Sequence, residues 1–187
     1  MNAPAGITIR RAEVADAPAL ALLAADTFVE TFGHLYRPAD LAAFLAKEQT
    51  AANYRRLIGQ PEVGVWLADT GAGHLVGFLT AGPCKLPVPD REPAAGEIRQ
   101  LYLRGAVQGQ GLGSALLRTG LDWLRARGHG PLYIGVWSGN VGAQRLYDRH
   151  GFGKVGEYDF PVGEHLDREF ILKERAPVSG GTARPAG

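Results

Sequence analysis

Hydrophobic and polar positions follow one another in a pattern that predicts a chain of short strands and helices. Residues 7–10 alternate as in a first strand. After Asp16, Pro38 and Thr50, apolar side chains recur at helical spacing, and each of these three residues is of a type that often begins a helix. The first third of the chain is therefore expected to contain one strand and three helices.

Two apolar runs follow, at residues 63–69 and 74–80, and a short glycine-containing segment separates them. This length and composition are typical of an antiparallel β-hairpin. Four prolines then occur between residues 83 and 96. Because proline lacks the N–H group of a sheet hydrogen bond, this segment is expected to be a loop that joins no ladder.

The central stretch of the sequence reads as a strand, a glycine-rich loop and a helix. Residues 97–103 form a compact Ile/Leu/Tyr run, and residues 112–124 carry apolar side chains at helical spacing. Between them, Gly109, Gly111 and Gly113 leave main-chain N–H groups accessible, and the start of the helix adds partial positive charge. This combination is suited to binding phosphate oxygens.

Two well-known phosphate-binding motifs do not fit this loop. A Walker loop ends in Gly-Lys-Ser/Thr, whereas this loop ends in Leu112-Gly113-Ser114 without a lysine. A Rossmann loop has the pattern G-x-G-x-x-G after the first strand of its unit and an acidic residue about twenty positions later. Here the glycines alternate, and Asp122 falls inside the predicted helix. A nucleoside triphosphatase and a dinucleotide-binding fold are therefore disfavoured.

The rest of the chain continues the alternation of strands and helices. A buried strand is predicted at residues 132–136 and a helix at about 141–150. Residues 155–160 and 168–172 resemble a closing antiparallel pair. Because strand–helix–strand crossovers are right-handed, the strand at 132–136 is expected to lie parallel to the strand at 97–103.

Composition limits the protein to a few classes. A chain of 187 residues with 45% hydrophobic residues is expected to form a single domain, at 1–175, followed by a flexible tail at 176–187. A net charge of +1 provides no broad field for nucleic acid. A single cysteine, Cys84, excludes an internal disulfide, and no apolar segment is long enough to span a membrane. We therefore expect a soluble cytoplasmic protein with neither a nucleic-acid nor a membrane partner.

Two motifs resemble those of one known superfamily. The loop fills the pattern Gln/Arg-x-x-Gly-x-Gly/Ala with Gln108, Gly111 and Gly113, and it resembles the acetyl-CoA signature of the GNAT N-acetyltransferase superfamily. The segment from Asn140 to Phe152 resembles the second GNAT motif, in which Asn is followed by Ala, an aromatic-Tyr pair and Gly-Phe. Here a leucine replaces the first aromatic residue of that pair. The two motifs agree in order and spacing.

The resemblance implies an α/β (α+β) fold with a mixed, mostly antiparallel central sheet and helices on both faces. Its parallel strands 4 and 5 would splay apart, and acetyl-CoA, the implied co-substrate, would lie in the gap. The diphosphate would lie on the glycine loop and the pantetheine along strand 4. The residues implied to contact the coenzyme are Leu101, Tyr102, Leu103, Gln108, Gly109, Gln110, Gly111, Leu112, Gly113, Ser114, Asn140, Ala143 and Tyr147. No metal is expected, because the histidines are scattered without the spacing of metal ligands.

Shorter matches at residues 28–33, 134–137 and 155–163 resemble the PaiA-like spermidine/spermine N-acetyltransferase branch of the superfamily. This narrower resemblance implies a small-molecule amine acceptor, with a polyamine-like amine favoured. The residues that would frame the acceptor are Glu30, His34, Tyr36 and Asp167.

Acetyl transfer to an amine needs a neutral nucleophile and a proton for the leaving thiolate. An alkylamine has a pKa of about 10.4, so roughly one molecule in a thousand is neutral at pH 7 and a proton acceptor is useful. Glu97, which matches a Glu found at this place in many GNAT members, is the predicted acceptor, directly or through water. Tyr147 is the predicted general acid, since a phenol with a pKa of about 10 lies near a thiol with one of about 8.5.

Other interpretations stay open at the level of sequence. Glu97 can instead be a solvated carboxylate at the end of a strand. The acceptor can be a protein N-terminus or a lysine, and the chain can be a non-catalytic CoA-binding module. The identity of the acceptor amine is not readable from these residues, and exposed edge strands near the C-terminal end leave a homodimer by sheet contact open.

Overall fold

The elements predicted from the hydrophobic pattern occur in the expected order in a computed structural model of the protein. The structure describes residues 3–71, 73–163 and 165–176, so the predicted flexible tail lies, from residue 177, outside the described residues. The strands and α-helices are β1 (Thr8–Arg11), α1 (Ala17–Phe32), α2 (Pro38–Glu48), α3 (Ala51–Ile58), β2 (Gly64–Asp69), β3 (Leu75–Pro83), β4 (Gly96–Leu103), α4 (Leu112–Ala126), β5 (Leu132–Trp137), α5 (Val141–Arg149), β6 (Phe152–Val162) and β7 (His165–Glu174).

The strands form one sheet in the order β1-β2-β3-β4-β5-β7-β6. Every neighbouring pair is antiparallel except β4 and β5, which are parallel. Helices cover both faces: α4 and α5 pack with the core cluster on one face, and α1 and α3 pack with the cluster on the other. The expected mixed, mostly antiparallel sheet with parallel strands 4 and 5 is confirmed.

Strands β4 and β5 pair over a short distance only and then separate. Their ladder joins residues 96–98 to residues 132–134, and the described sheet contains no later pair between them. On its other edge, β4 continues to pair with β3 as far as Leu103. The edge of β4 that faces β5 therefore has no strand partner from Arg99 to Leu103. This is the splay implied by the sequence resemblance.

A bulge in β4 begins where this separation begins. Thr80 of β3 pairs with Gln100, whereas the next residue, Ala81, pairs with Ile98, so Arg99 is an extra residue in β4. A bulge bends its strand and increases the local twist. The bulge lies immediately after the last β4–β5 pair, so it directs the remainder of β4 away from β5.

Several strand boundaries differ from those expected. Strands β6 and β7 extend beyond the predicted segments at both ends, because non-local pairing continues into residues whose own pattern is weak. Pro83 and Gly96 form the last pair of the β3–β4 ladder. The expectation that the proline-rich segment joins no ladder is therefore wrong at its two ends, where a strand-terminal proline is tolerated.

Helix α4 lies directly against the sheet because a glycine faces it. Leu116 and Leu124 are fully buried on this face of the helix. A Cβ atom at Gly120 would lie 2.6 Å from a Leu79 methyl group and 2.8 Å from a methyl group of Ile98. Gly120 thus allows close approach of the helix that follows the glycine loop.

We expect Gly120→Val to lower the free energy of unfolding by about 1–3 kcal/mol, because the added isopropyl group overpacks this contact. Asp122→Ala, on the exposed side of the same helix, is the control and should change it by less than about 0.5 kcal/mol. Urea denaturation measures both. Equal stability of Gly120→Val and the native protein would contradict the close packing described here.

Candidate active site

A cavity of about 1210 Å³ occupies the space between β4 and β5 beyond their last pair. Its walls come from β4, the glycine loop, the end of β5, α5, the C-terminal part of α1 with the following turn, and individual side chains of α2, β6 and β7. This position and size result from the splay of the two strands. The cavity therefore brings residues that are far apart in sequence to one place.

The glycine loop supplies main-chain donors at one end of this cavity. Gly109 and Gly111 have φ angles of +75° and +86°, which residues other than glycine rarely adopt. Gly111 is the N-cap of α4 and has no side chain to cap it, while the N–H of Ala115 donates to its carbonyl oxygen at 3.1 Å. Since the first N–H groups of a helix lack intrahelical acceptors, this end of the cavity is suited to an anion.

Helix α5 contributes the residues of the second motif. Asn140 is its N-cap and its side-chain Oδ1 accepts a hydrogen bond from the N–H of Ala143 at 3.0 Å. Tyr147, two turns along the helix, is 5% exposed and lines the cavity. Burial, together with the negative charge of Glu169, raises the pKa of Tyr147. The phenol stays protonated at neutral pH, but its pKa lies further from that of a thiol than the sequence argument assumes.

Glu97, near the start of β4, also lines the cavity and is 7% exposed. Its Oε2 accepts a hydrogen bond of 2.7 Å from the main-chain N–H of Lys85, in the proline-rich loop. Burial raises the pKa of Glu97, while the N–H of Lys85 and the positive charge of Arg99 act in the opposite direction. The carboxyl group is therefore a better proton acceptor than a solvated glutamate, which disfavours the interpretation as a surface carboxylate.

Aromatic side chains and an aspartate form the end of the cavity away from the glycine loop. Phe28, Phe32 and Tyr36 are buried there, and Phe28 stacks on Phe44 with ring centroids 4.6 Å apart. The hydroxyl of Tyr36 donates a hydrogen bond to Oδ2 of Asp167. This wall combines aromatic rings with a buried carboxyl group, which suits an alkylammonium ion.

The cavity gathers most of the residues predicted from sequence. Those that line it are Glu97, Leu101, Tyr102, Leu103, Gln108, Gly109, Gln110, Gly111, Gly113, Ser114, Asn140, Ala143 and Tyr147. Leu112 does not line it, because its side chain is fully buried in the core, so only its main chain is available to a ligand. Of the four residues expected to frame the acceptor, Glu30, Tyr36 and Asp167 line the cavity, whereas His34 is exposed and does not.

Arg149, Tyr158 and Glu169 are among the lining residues that the sequence analysis missed. The alternation of Asp167, Glu169 and Ile171 along β7 indicates that they share a face, and this signal was available. It does not tell which face borders a cavity, because that depends on the pairing of β7 between β5 and β6.

The described residues contain no cluster of three or more His, Cys, Asp or Glu side chains arranged to hold a metal ion. The expected absence of a metal remains a prediction. No helix in the described part of the chain is long and apolar enough to cross a membrane.

Comparison with known proteins identifies the family. A model of the acetyltransferase (GNAT) family matches residues 26–152, which is well over half of the chain. The chain belongs to the GNAT family. The superfamily resemblance is thereby confirmed, and so is the prediction that the protein is an N-acetyltransferase enzyme.

Individual relatives agree with this assignment. The GNAT chain is 29% identical over 182 residues to an uncharacterised N-acetyltransferase in the pepI 3′ region of Lactobacillus delbrueckii subsp. lactis, covering 90% of this chain and 97% of that protein. The crystal structure of a PaiA N-acetyltransferase from Thermoplasma acidophilum in complex with coenzyme A superposes with a TM-score of 0.72 at 17% identity, covering 91% of this chain and 99% of the other. The structure of yncA from Salmonella typhimurium with acetyl-CoA superposes with a TM-score of 0.62 at 24% identity. The match covers 97% of this chain and 99% of the other.

We expect the buried carboxyl group of Glu97 to make stability depend on pH. Its folded-state pKa is raised, so the folded protein binds the proton more tightly than the unfolded chain. The free energy of unfolding should therefore fall as pH rises above about 4.3, by at most about 1.4 kcal/mol for each unit of pKa difference. Glu97→Gln keeps an oxygen for the N–H of Lys85 and should reduce this fall in stability. Glu48 is exposed, so the control Glu48→Gln should not reduce it. Parallel pH profiles for all three proteins would contradict the burial of this charge.

Proposed function

We propose that this GNAT enzyme transfers the acetyl group of acetyl-CoA to the primary amine of a small acceptor, with polyamine-like acceptors favoured. One observation carries the proposal: a single cavity is lined by the glycine loop, the free edge of β4, Tyr147, Glu97 and an acidic, aromatic end. The helix that begins in this loop has no side-chain cap at its N-terminus. The proteins named above whose structures contain coenzyme A or acetyl-CoA share this fold, which supports the choice of coenzyme.

The chemistry of the two ends indicates how the substrates are arranged. The main-chain N–H groups of residues 108–114 suit the diphosphate of the coenzyme, whereas Asp167 and the surrounding aromatic rings suit a cationic amine. The unpaired edge of β4, at residues 99–103, offers main-chain groups to the amides of the pantetheine arm. The thioester is thereby directed toward Tyr147.

Proton transfers at the centre complete the proposed mechanism. Glu97 takes a proton from the acceptor's ammonium group, directly or through water, so that a neutral amine attacks the thioester carbonyl. Tyr147 gives its proton to the sulfur as the C–S bond breaks, and its oxygen then receives the remaining surplus proton of the new amide nitrogen. Because burial raises its pKa, Tyr147 is fully protonated at the pH where these steps occur.

The shape of the acceptor end favours a small molecule over a protein. Phe44 of α2 and Phe160 of β6 both line this end, and their rings lie 6.3 Å apart in an edge-to-face arrangement. A peptide or a lysine on a protein surface needs an open groove that admits flanking main chain. These rings narrow the space available to such a segment.

The proposal is tested by measuring thiol release from acetyl-CoA with a panel of monoamines, diamines and polyamines and with a lysine-containing peptide. Tyr147→Phe should lower kcat by about 10²–10⁴ because the leaving thiolate loses its proton donor, while coenzyme A still binds. Equal turnover by the native and variant proteins would contradict the role of Tyr147. Coenzyme binding by the native protein without turnover of any amine would favour a non-catalytic module.

The glycine loop gives a separate prediction about coenzyme binding. Gly111→Ala places a Cβ at a φ of +86°, which costs about 1–2 kcal/mol and is relieved by turning the loop N–H groups away from the ligand. We expect the Kd for coenzyme A, measured by calorimetry, to rise about tenfold.

Gly73→Ala is the matched control for this variant. Gly73 has a φ of +74° in an exposed turn outside the cavity, with no atom near the new methyl group. It should carry a similar strain and leave the Kd unchanged. If both variants bind coenzyme A as the native protein does, the loop does not hold the diphosphate.

A further inference from the structure

Glu169 is a cavity-lining carboxyl group to which the mechanism above gives no role. It lies on β7, between Trp137 of β5 and Tyr158 of β6 in the sheet register. The Tyr158 hydroxyl donates a hydrogen bond of 2.7 Å to its Oε2. Tyr158 also lines the cavity. The carboxyl group is thus held in one orientation at the wall where the reaction is proposed to occur.

A glycine makes room for this pair of side chains. Gly135 follows Ile134, the last residue of β5 that pairs with β4. A Cβ atom at position 135 would lie 3.2 Å from Glu169 Oε2 and 3.2 Å from the Tyr158 hydroxyl oxygen. The carboxyl group therefore lies against Gly135, one residue beyond the last pair between the two parallel strands.

The groups around Glu169 leave its charge without a cationic partner. No lysine, arginine or histidine of the described residues forms an ion pair with it. Burial raises its pKa, the Tyr158 hydrogen bond opposes this, and the charges of Asp167 and Glu97 raise it further. The other titratable groups that face it are the tyrosines at positions 36, 102 and 147. All of these neighbours are acidic or neutral.

Asp167 gives an independent sign that a cation belongs in this cavity. It is 4% exposed and lines the cavity, and its Oδ1 is buried without a hydrogen-bond partner. Nε2 of His165 lies 3.2 Å from this oxygen but without hydrogen-bond geometry, and it carries charge only when protonated. A buried acceptor without a partner is costly, and an ammonium ligand would supply the missing donor.

We propose that Glu169, oriented by Tyr158, is a second proton acceptor for the ammonium group of the acceptor, beside Glu97. This inference rests on the proposed function. In a turnover in which Glu169 instead of Glu97 takes this proton, an N–H bond of the ammonium ion breaks, its electron pair stays on nitrogen, and an O–H bond forms on Glu169. The neutral amine then forms the C–N bond while the C–S bond breaks and Tyr147 protonates the sulfur, and the Tyr147 oxygen receives the surplus proton of the new amide nitrogen. Glu169 returns its proton to water after the product leaves.

The test compares the native protein with Glu169→Gln at pH 7. Each protein is assayed with two acceptors. An alkylamine is almost fully protonated at this pH and needs a base, whereas an alkoxyamine is already neutral. We expect kcat/KM to fall about ten- to a hundredfold for the alkylamine and less than about threefold for the alkoxyamine, because Glu97 retains part of the function. Raising the pH toward the pKa of the alkylamine should restore the alkylamine activity of the variant, because more of the amine is then neutral.

Further variants separate this role from a structural one. Glu97→Gln combined with Glu169→Gln should lose more alkylamine activity than either change alone. Glu174→Gln, on the same strand but paired with Arg125 outside the cavity, should leave both activities unchanged. Thermal unfolding should show no loss of Tm for Glu169→Gln, since a partly buried charge is removed. If this variant does not fold, Tyr158→Phe provides the same comparison with a smaller expected loss.

Each outcome decides between the two proposals. An equal loss for both acceptors, or no loss for either, would overturn the role of Glu169 while leaving the acetyltransferase function in place. The role of Glu169 would also be overturned if Glu97→Gln lost activity only toward the alkylamine while Glu169→Gln lost none. Failure of the native protein to acetylate any amine would instead overturn the proposed function, and this inference with it.

Discussion

The site depends on the early end of pairing between the two parallel strands. Only residues 96–98 of β4 pair with β5, and the extra residue Arg99 then bends β4 away. Had the ladder continued, its hydrogen bonds would have closed both the cavity and the free edge of β4. The sheet thus lacks hydrogen bonds that a longer β4–β5 ladder would add, and main-chain groups of β4 stay available to a ligand.

Local pattern was sufficient to predict the elements on either side of this gap. The glycine loop is identified by residues such as Gly111, whose positive φ requires glycine, and α4 by its leucines at helical spacing. Asn140 could be read as the start of α5 because an asparagine side chain caps a helix within its own neighbourhood. These features depend on residues close in sequence, and the expected order of strands and helices was correct for that reason.

The parts that sequence could not supply depend on pairing between distant segments. Glu169 alternates with its neighbours on β7, but only the position of β7 between β5 and β6 places it at the opening of the gap. Leu112 belongs to the loop motif and yet turns into the core, because the first turn of α4 packs on the sheet. Burial also raises the pKa of Tyr147, an effect set by tertiary packing and not by the motif.

Groups of both charges line the cavity. The start of α4 supplies helix N–H groups, the exposed Arg149 also lines the cavity, and Glu97, Asp167 and Glu169 supply carboxyl groups. With a net charge of +1, the chain as a whole provides little long-range attraction for either substrate. Recognition must therefore occur within the cavity, where reduced solvent makes each charge more effective. In the proposed mechanism, the acidic groups that attract the ammonium ion also remove its proton, so both binding and activation of the amine would depend on these carboxyl groups.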